Sequence, residues 1–291
     1  MGCDICGNWR KIERGLYCLL GDQTFRIVKC KQCGLIYVTP RPELSFLISL
    51  YGKEYFRSGY TGFIERNEEY IKQRLNGPAG LRTVLKELEP VKRHNCRLLE
   101  VGCADGFFLQ LAKSQGWEPY GVDISPYAVS YARKGRGLTI REGTLEEQIF
   151  PSGFFGAAYL GDVLAHTPSP FLLLKEVHRT MAKGGVLFVT SPAPFNGALA
   201  KVQEVVRNLR KSHLDNLEFF PNSAHFLYWF SPRTLRSVLV KSNFVVLKLQ
   251  VYAPVNSLSF IGNILDGAGQ FLLGNLFQIG SRMTALARVA D

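Results

Sequence analysis

Residues 97–125 read RLLEVGCADGFFLQLAKSQGWEPYGVDIS, and this stretch decides the fold. Leu98-Leu99-Glu100-Val101 is a short apolar run with the character of a buried strand. A tight turn follows, with small residues at Gly102, Ala104 and Gly106, and then Phe107, Phe108, Leu111 and Ala112 recur at helical spacing. After Gly116 a second apolar strand, Pro119 to Val122, ends on Asp123. Small residues at such a turn let backbone approach a ligand and leave the N–H groups of a helix N-terminus facing an anionic group. A carboxylate about 20 residues further on can accept hydrogen bonds from two ribose hydroxyls. The unit is therefore suited to a nucleoside.

The spacing distinguishes two classes of nucleoside cofactor. A dinucleotide fingerprint, G-x-G-x-x-G, would place its third glycine at 107, where this chain has Phe107. Small residues at 102, 104 and 106 instead resemble motif I of the Rossmann-like S-adenosylmethionine-dependent methyltransferases, with Ala104 at the middle position. That resemblance implies cofactor contacts from Glu100, Gly102, Cys103, Ala104, Gly106, Asp123 and Ile124, with Asp123 on the ribose.

Upstream, Cys3-x-x-Cys6 and Cys30-x-x-Cys33 form two pairs, each followed by glycine (Gly7, Gly34). Two such knuckles separated by β-like runs are the ligand pattern of a zinc ribbon. Four thiolates fill a tetrahedral ion and leave no open position, so the site is expected to be structural. Redox-active or disulfide-forming pairs are the alternative. Cys18 has no partner at ligand spacing and reads as a packing residue. Thiolate ligation goes with a reducing compartment, and a cytoplasmic protein is expected. No signal peptide or membrane-length apolar run is evident.

Leu35 to Val38 reads as a strand and Thr39-Pro40-Arg41-Pro42 as an extended linker. Beyond Glu43 the chain is helical and rich in aromatics, and a helix through Arg82 to Glu89 is expected to stop at Pro90. Tyr51, Tyr55 and Tyr60 either pack the ribbon against the next domain or form a lid that excludes water from the cofactor pocket. The order of ribbon, PRP linker, tyrosine-rich helices and EVGCADG is similar to a bacterial group of zinc-ribbon methyltransferases, over nearly the whole chain. The implied fold is α/β: a Rossmann-like, seven-stranded, mostly parallel sheet with helices on both faces, preceded by the ribbon and a helical cap. The expected division is a ribbon over 1–42, a cap and linker over 43–94, and a cofactor-binding domain over 95–291.

Past Asp123, Ser125 and Pro126 suit the N-cap and first turn of a helix, and Leu138 to Ile140 a third strand. The resemblance places Thr144 and Leu145 beside the adenine. Phe155 to Leu160 reads as a fourth strand, delivering Asp162 and His166 at its carboxyl end, where ligands bind in such sheets. A family stretch D-x-x-E-H has Ala165 here in place of its acid but keeps His166. Lys183-Gly184-Gly185 reads as a turn before a fifth strand at Val186–Val189. Residues 195–222 form an insertion with Lys201, Arg207, Arg210 and Lys211, a solvated face or a site for an anionic group. His225 matches the family's H…F-S/T-P stretch and joins His166 as a candidate for acceptor orientation or proton removal. Residues 257–280 form an apolar flap that is either buried or in contact with a membrane surface, and Met283–Val289 an antiparallel last strand.

The expected activity is methyl transfer from S-adenosylmethionine to a small-molecule, sugar, polysaccharide or secondary-metabolite acceptor, alongside a structural Zn2+. A net charge of +11 leaves room for an RNA methyltransferase that grips phosphates with its ribbon. A non-catalytic cofactor-binding protein, marked by Ala104 and Ala165, is the rival from another class.

Overall fold

The computed structural model describes residues 2–20, 23–57, 68–193, 226–252 and 282–290. The chain opens with the first cysteine knuckle and then β1 (Lys11–Leu20) and β2 (Gln23–Cys30), an antiparallel pair. The second knuckle leads into β3 (Ile36–Thr39), antiparallel to β2. The helical cap follows, as α1 (Leu44–Leu50), α2 (Lys53–Arg57), α3 (Glu68–Leu75) and α4 (Leu81–Lys92). The side chain of Cys18 and all of Tyr60 lie outside the described residues.

Helix α4 runs through Pro90 instead of stopping there. The residue sits in the last turn, so the ladder loses one bond close to its natural end. Leu81, Val84, Leu85 and Leu88 are buried along one face, and that packing outweighs the local preference.

The cofactor-type unit then appears as β4 (Arg97–Val101), α5 (Phe107–Ser114) and β5 (Glu118–Asp123). It continues as α6 (Pro126–Arg136), β6 (Thr139–Glu142), β7 (Phe155–Gly161), α7 (Pro170–Thr180) and β8 (Met181–Pro192). After residues 194–225 come β9 (Tyr228–Trp229), α8 (Pro232–Lys241) and β10 (Phe244–Tyr252), and last β11 (Arg282–Val289). Each of α6, α7 and α8 begins with a serine whose hydroxyl accepts a backbone N–H, followed by proline at the first helical position.

The main sheet has seven strands in the order β10-β11-β8-β7-β4-β5-β6. Strands β6, β5, β4, β7 and β8 are parallel, and β11 is inserted antiparallel to both β8 and β10. The fold is thus a Rossmann-like α/β sheet, as expected. The third strand is shifted from the expected 138–140 to Thr139–Glu142. The expected turn at 183–185 lies inside β8, as an irregularity in the ladder: Phe155 faces Met181 whereas Ala157 already faces Val186. Gly184, at φ +71°, lets the strand bulge there without leaving the sheet.

A second, four-stranded antiparallel sheet has the order β1-β2-β3-β9. Its last strand comes from the far side of the chain, pairing Tyr37 with Tyr228 and Ile36 with Trp229. The sheet therefore crosses the expected boundary at residue 42. One hydrophobic core runs from Ile27, Tyr37 and Leu47 through Tyr228 into Leu173, Leu235 and the main sheet. Among the described residues, no helix is long and apolar enough to cross a membrane.

Candidate cofactor and acceptor site

The carboxyl ends of β4, β5, β7 and β8 open into a cavity of about 390 Å3. Its floor is the turn after β4. Gly102 and Gly106 take positive φ values, +68° and +74°, and a side chain at Gly102 would meet Val163 Cγ2 at 2.5 Å. Ala104 also adopts a left-handed conformation, at φ +48°. Its N–H donates to Asp123 Oδ2 at 2.8 Å, and the Ser125 N–H donates to Asp123 Oδ1 at 2.8 Å. The carboxylate is thus held at the tip of β5 with a lone pair remaining on each oxygen. Burial pushes the Asp123 carboxyl up, and the two backbone donors act against that rise.

Of the expected cofactor contacts, Gly102, Ala104, Asp123, Ile124, Thr144, Leu145 and Asp162 line this cavity. Cys103 and Gly106 do not. Cys103 is buried against the position of Gly121, and Gly106 packs on Leu138 with Ala132 and Ile140 beside it. Glu100 is buried on β4, with Oε2 lacking a hydrogen-bond partner among the described residues. Its burial drives the carboxyl well above the usual range, against the pull of Arg74.

On the opposite wall stand residues from the end of β7. Asp162, at φ +62°, receives a hydrogen bond from the Thr190 hydroxyl and an ion pair from Arg282. Its side chain is 37% exposed, and that exposure is into the cavity, among protein atoms. Burial pushes its carboxyl up, but the Arg282 guanidinium and the Thr190 hydroxyl outweigh that and hold it below the usual range. Four residues later His166 lines the cavity, with Nδ1 3.1 Å from the Tyr51 hydroxyl. The ring of Phe226 lies 4.9 Å away on another side.

The roof is aromatic. Tyr51 meets Tyr55 edge-on at 4.8 Å, Tyr55 meets Phe56 at 5.1 Å, and Phe56 stacks on Tyr127 of α6 at 6.0 Å. Burial holds the Tyr51 phenol well above its ordinary pKa, and the same cause pushes Tyr55 up to about 12. A hydrogen bond of 2.6 Å from the Ser125 hydroxyl to the Tyr51 carbonyl pins this roof to the N-cap of α6. His225, the 195–222 insertion and the 257–280 segment lie outside the described residues.

Among the lining residues not anticipated from sequence are Arg74, Phe226 and Arg282. Arg282 did carry a signal. It immediately precedes the last strand expected to be antiparallel, Met283–Val289, and such a strand starts at the carboxyl ends of its parallel neighbours. Arg74 and Phe226 arrive by long-range packing and have no local signature.

The second cluster is the cysteine set. The four Sγ atoms of Cys3, Cys6, Cys30 and Cys33 lie within 4.8 Å of one another, with two pairs at 3.4 and 3.5 Å. Zinc–sulfur bonds of about 2.3 Å in a tetrahedron separate the sulfurs by about 3.8 Å, so the donor set and its spacing fit a zinc ion.

A family model described as a methyltransferase domain matches residues 70–249. The chain belongs to the methyltransferase domain family. The match starts in α3 and ends within β10, so it takes in the cavity floor and the β7 tip but not the cysteine knuckles. A ubiquinone biosynthesis O-methyltransferase of Xanthomonas axonopodis pv. citri is 27% identical over 144 residues, which is 46% of this chain and 59% of that protein. A 2-methyl-6-phytyl-1,4-hydroquinone methyltransferase of Oryza sativa subsp. japonica is 26% identical over 162 residues, 53% of this chain and 43% of that protein. The chain thus spans about half the length of these relatives. The crystal structure of a SAM-dependent methyltransferase from Archaeoglobus fulgidus superposes with a TM-score of 0.50 at 17% identity, covering 76% of this chain and 100% of that one. That likeness concerns the fold.

Proposed function

We propose that this protein is an S-adenosylmethionine-dependent methyltransferase acting on an oxygen of a small molecule with an aromatic or quinol-like ring. The observation that carries the reading is Asp123, fixed by two backbone N–H groups at one end of a cavity whose other end holds His166. Asp123 would accept from the ribose hydroxyls, Gly102 and Ala104 would let the backbone approach the cofactor, and Thr144 and Leu145 would flank the adenine. Arg74, which lines the cavity, would serve the carboxylate at the amino-acid end of the cofactor. The bound cofactor supplies a methyl on a sulfonium, whose departure leaves a neutral thioether. The protein's share is then to align the acceptor and exclude water.

Tyr51, Tyr55, Phe56 and Phe226 would give that acceptor an aromatic lining, and the hydroquinone in one relative's name and the ubiquinone biosynthesis in the other's are of matching chemistry. His166 would take the acceptor's proton at Nε2 while its Nδ1–H donates to the Tyr51 oxygen. The ionised Asp162 nearby favours the imidazolium that results. The four cysteines would hold a structural zinc, with every coordination position filled by sulfur.

Calorimetric titration with S-adenosylhomocysteine tests the cofactor assignment. Micromolar binding, about −8 kcal/mol, is expected, and no detectable heat at high micromolar concentrations would overturn it. Methyl transfer from labelled cofactor to a panel of phenols, catechols and quinols tests the acceptor class. Labelling confined to amines would refute it.

A further inference from the structure

We propose that Asp4, inside the first cysteine knuckle, is a positioning residue for the acceptor end of the cavity, acting on the loop that carries His166. The proposal rests on the methyltransferase reading of that cavity. Residues 162–169 connect β7 to α7, and His166 sits among them. Asp4 Oδ2 accepts from the Phe171 N–H at 2.9 Å, and Asp4 Oδ1 accepts from the Ser169 hydroxyl at 2.7 Å. The same carboxylate is paired with Arg41 at 3.2 Å, with only 6% of its own side chain exposed.

The ribbon's sheet holds the other half of the loop. Leu227 and Tyr228 donate their N–H groups to the Ala165 carbonyl at 2.7 and 3.2 Å. The Tyr228 hydroxyl donates to the Pro168 carbonyl at 2.7 Å, while its ring stacks on Tyr37 of β3 at 6.4 Å. Contacts from the ribbon side thus fall on residues 165, 168, 169 and 171, one just before His166 and three after it. The knuckle is further tied to α8, where Lys241 Nζ donates to the Ile5 carbonyl at 3.0 Å.

Capping alone does not account for Asp4. Helix α7 already has Ser169, whose hydroxyl accepts from the Leu172 N–H. A buried carboxylate is costly to desolvate unless paired and hydrogen-bonded; here the pair is with Arg41, and the hydrogen bonds cross from the knuckle to Ser169 and Phe171. A negative charge at the α7 N-terminus also suits the helix dipole. Fixing the knuckle, as four-sulfur ligation would, therefore fixes the loop that orients His166 toward Tyr51.

Hydrogen exchange on the full-length, metal-loaded protein tests this, with residues 98–112 as the internal reference. In Asp4→Ala, amides of 163–172 should exchange at least tenfold faster, while 98–112 and the affinity for S-adenosylhomocysteine stay within threefold of wild type. The His166 ring resonance, assigned with His166→Gln, should move in the same variant. Asp4→Asn, which keeps an acceptor for Phe171, should restore most of both signals. Ser169→Ala removes one of the contacts and should give a smaller local acceleration, which keeps the test available if Asp4→Ala does not fold. Unchanged exchange over 163–172 would overturn the proposal. So would equal acceleration of both segments, which would make Asp4 a support of the whole fold. Failure of the underlying methyltransferase reading would show separately, as wild-type protein that does not bind S-adenosylhomocysteine.

Discussion

Replacing Asp123 is the sharpest perturbation of the cavity. Each of its oxygens accepts one backbone N–H at 2.8 Å, and the side chain is 8% exposed. One lone pair per oxygen remains for a ribose hydroxyl, giving two hydrogen bonds to a charged acceptor. Such bonds contribute about 1.5–3 kcal/mol each, so losing both costs at least about 3 kcal/mol, or roughly 150-fold in Kd. Asp123→Asn keeps one acceptor oxygen and the shape, and about half the loss, roughly tenfold in Kd, is expected. Asp123→Ala also strips the partners from the Ala104 and Ser125 N–H groups, at about 1–3 kcal/mol each. Urea unfolding must therefore accompany the calorimetry, so that weak binding is not confused with partial unfolding. A folded Asp123→Ala that binds S-adenosylhomocysteine within threefold of wild type would refute the ribose assignment.

Three further outcomes follow from named atoms. Gly102→Ala places a Cβ 2.5 Å from Val163 Cγ2 at a φ of +68°; the backbone term alone is about 1–2 kcal/mol, and both the urea midpoint and cofactor affinity should fall, an unchanged midpoint being the refuting result. Glu100 has its pKa raised by burial, so its protonated form contributes stability that is fully present below about pH 4.5, the usual value for glutamate. That contribution is lost as pH rises through the raised value. Glu100→Gln should remove this loss, so that apo-protein unfolding free energies decline less steeply between pH 5 and 8, and parallel curves for the two proteins would contradict it. Metal analysis should find one zinc per chain, with Cys30→Ser and chelation both lowering the melting temperature; a metal-free chain of undiminished stability would exclude the structural zinc.

Local pattern made the cofactor half of the fold legible. Strand, small-residue turn, helix and acid follow one another in β4, α5 and β5, and every contact between Asp123 and the turn spans at most about 20 residues. The serine-proline starts of α6, α7 and α8 are local signals too. What sequence left dark is long-range. Strand β9 has two residues, too few for any periodicity, and its partner Tyr37 in β3 lies 191 positions from Tyr228. Pro90 misled because tertiary burial of α4 outweighs one lost bond. The Lys183-Gly184-Gly185 turn misled because a bulge and a turn share the same glycine chemistry.

The two ends of the cavity consequently depend on different parts of the chain. The core of the proposed cofactor end lies within residues 97–145 and closes on itself through Asp123, Ala104 and Ser125. The proposed acceptor end is assembled from Tyr51 of the cap, His166 after β7, Phe226 before β9 and Arg282 at the start of β11. Ser125 joins them, since its N–H holds the Asp123 carboxylate while its hydroxyl holds the Tyr51 carbonyl. A perturbation at the cysteine knuckle should therefore reach the acceptor end first, through Asp4 and Tyr228. It should reach the cofactor end only by way of Tyr51 and Ser125. On the proposed reading, this ordering would make the ribbon a support for substrate orientation and let the nucleoside site keep its geometry when the ribbon is disturbed.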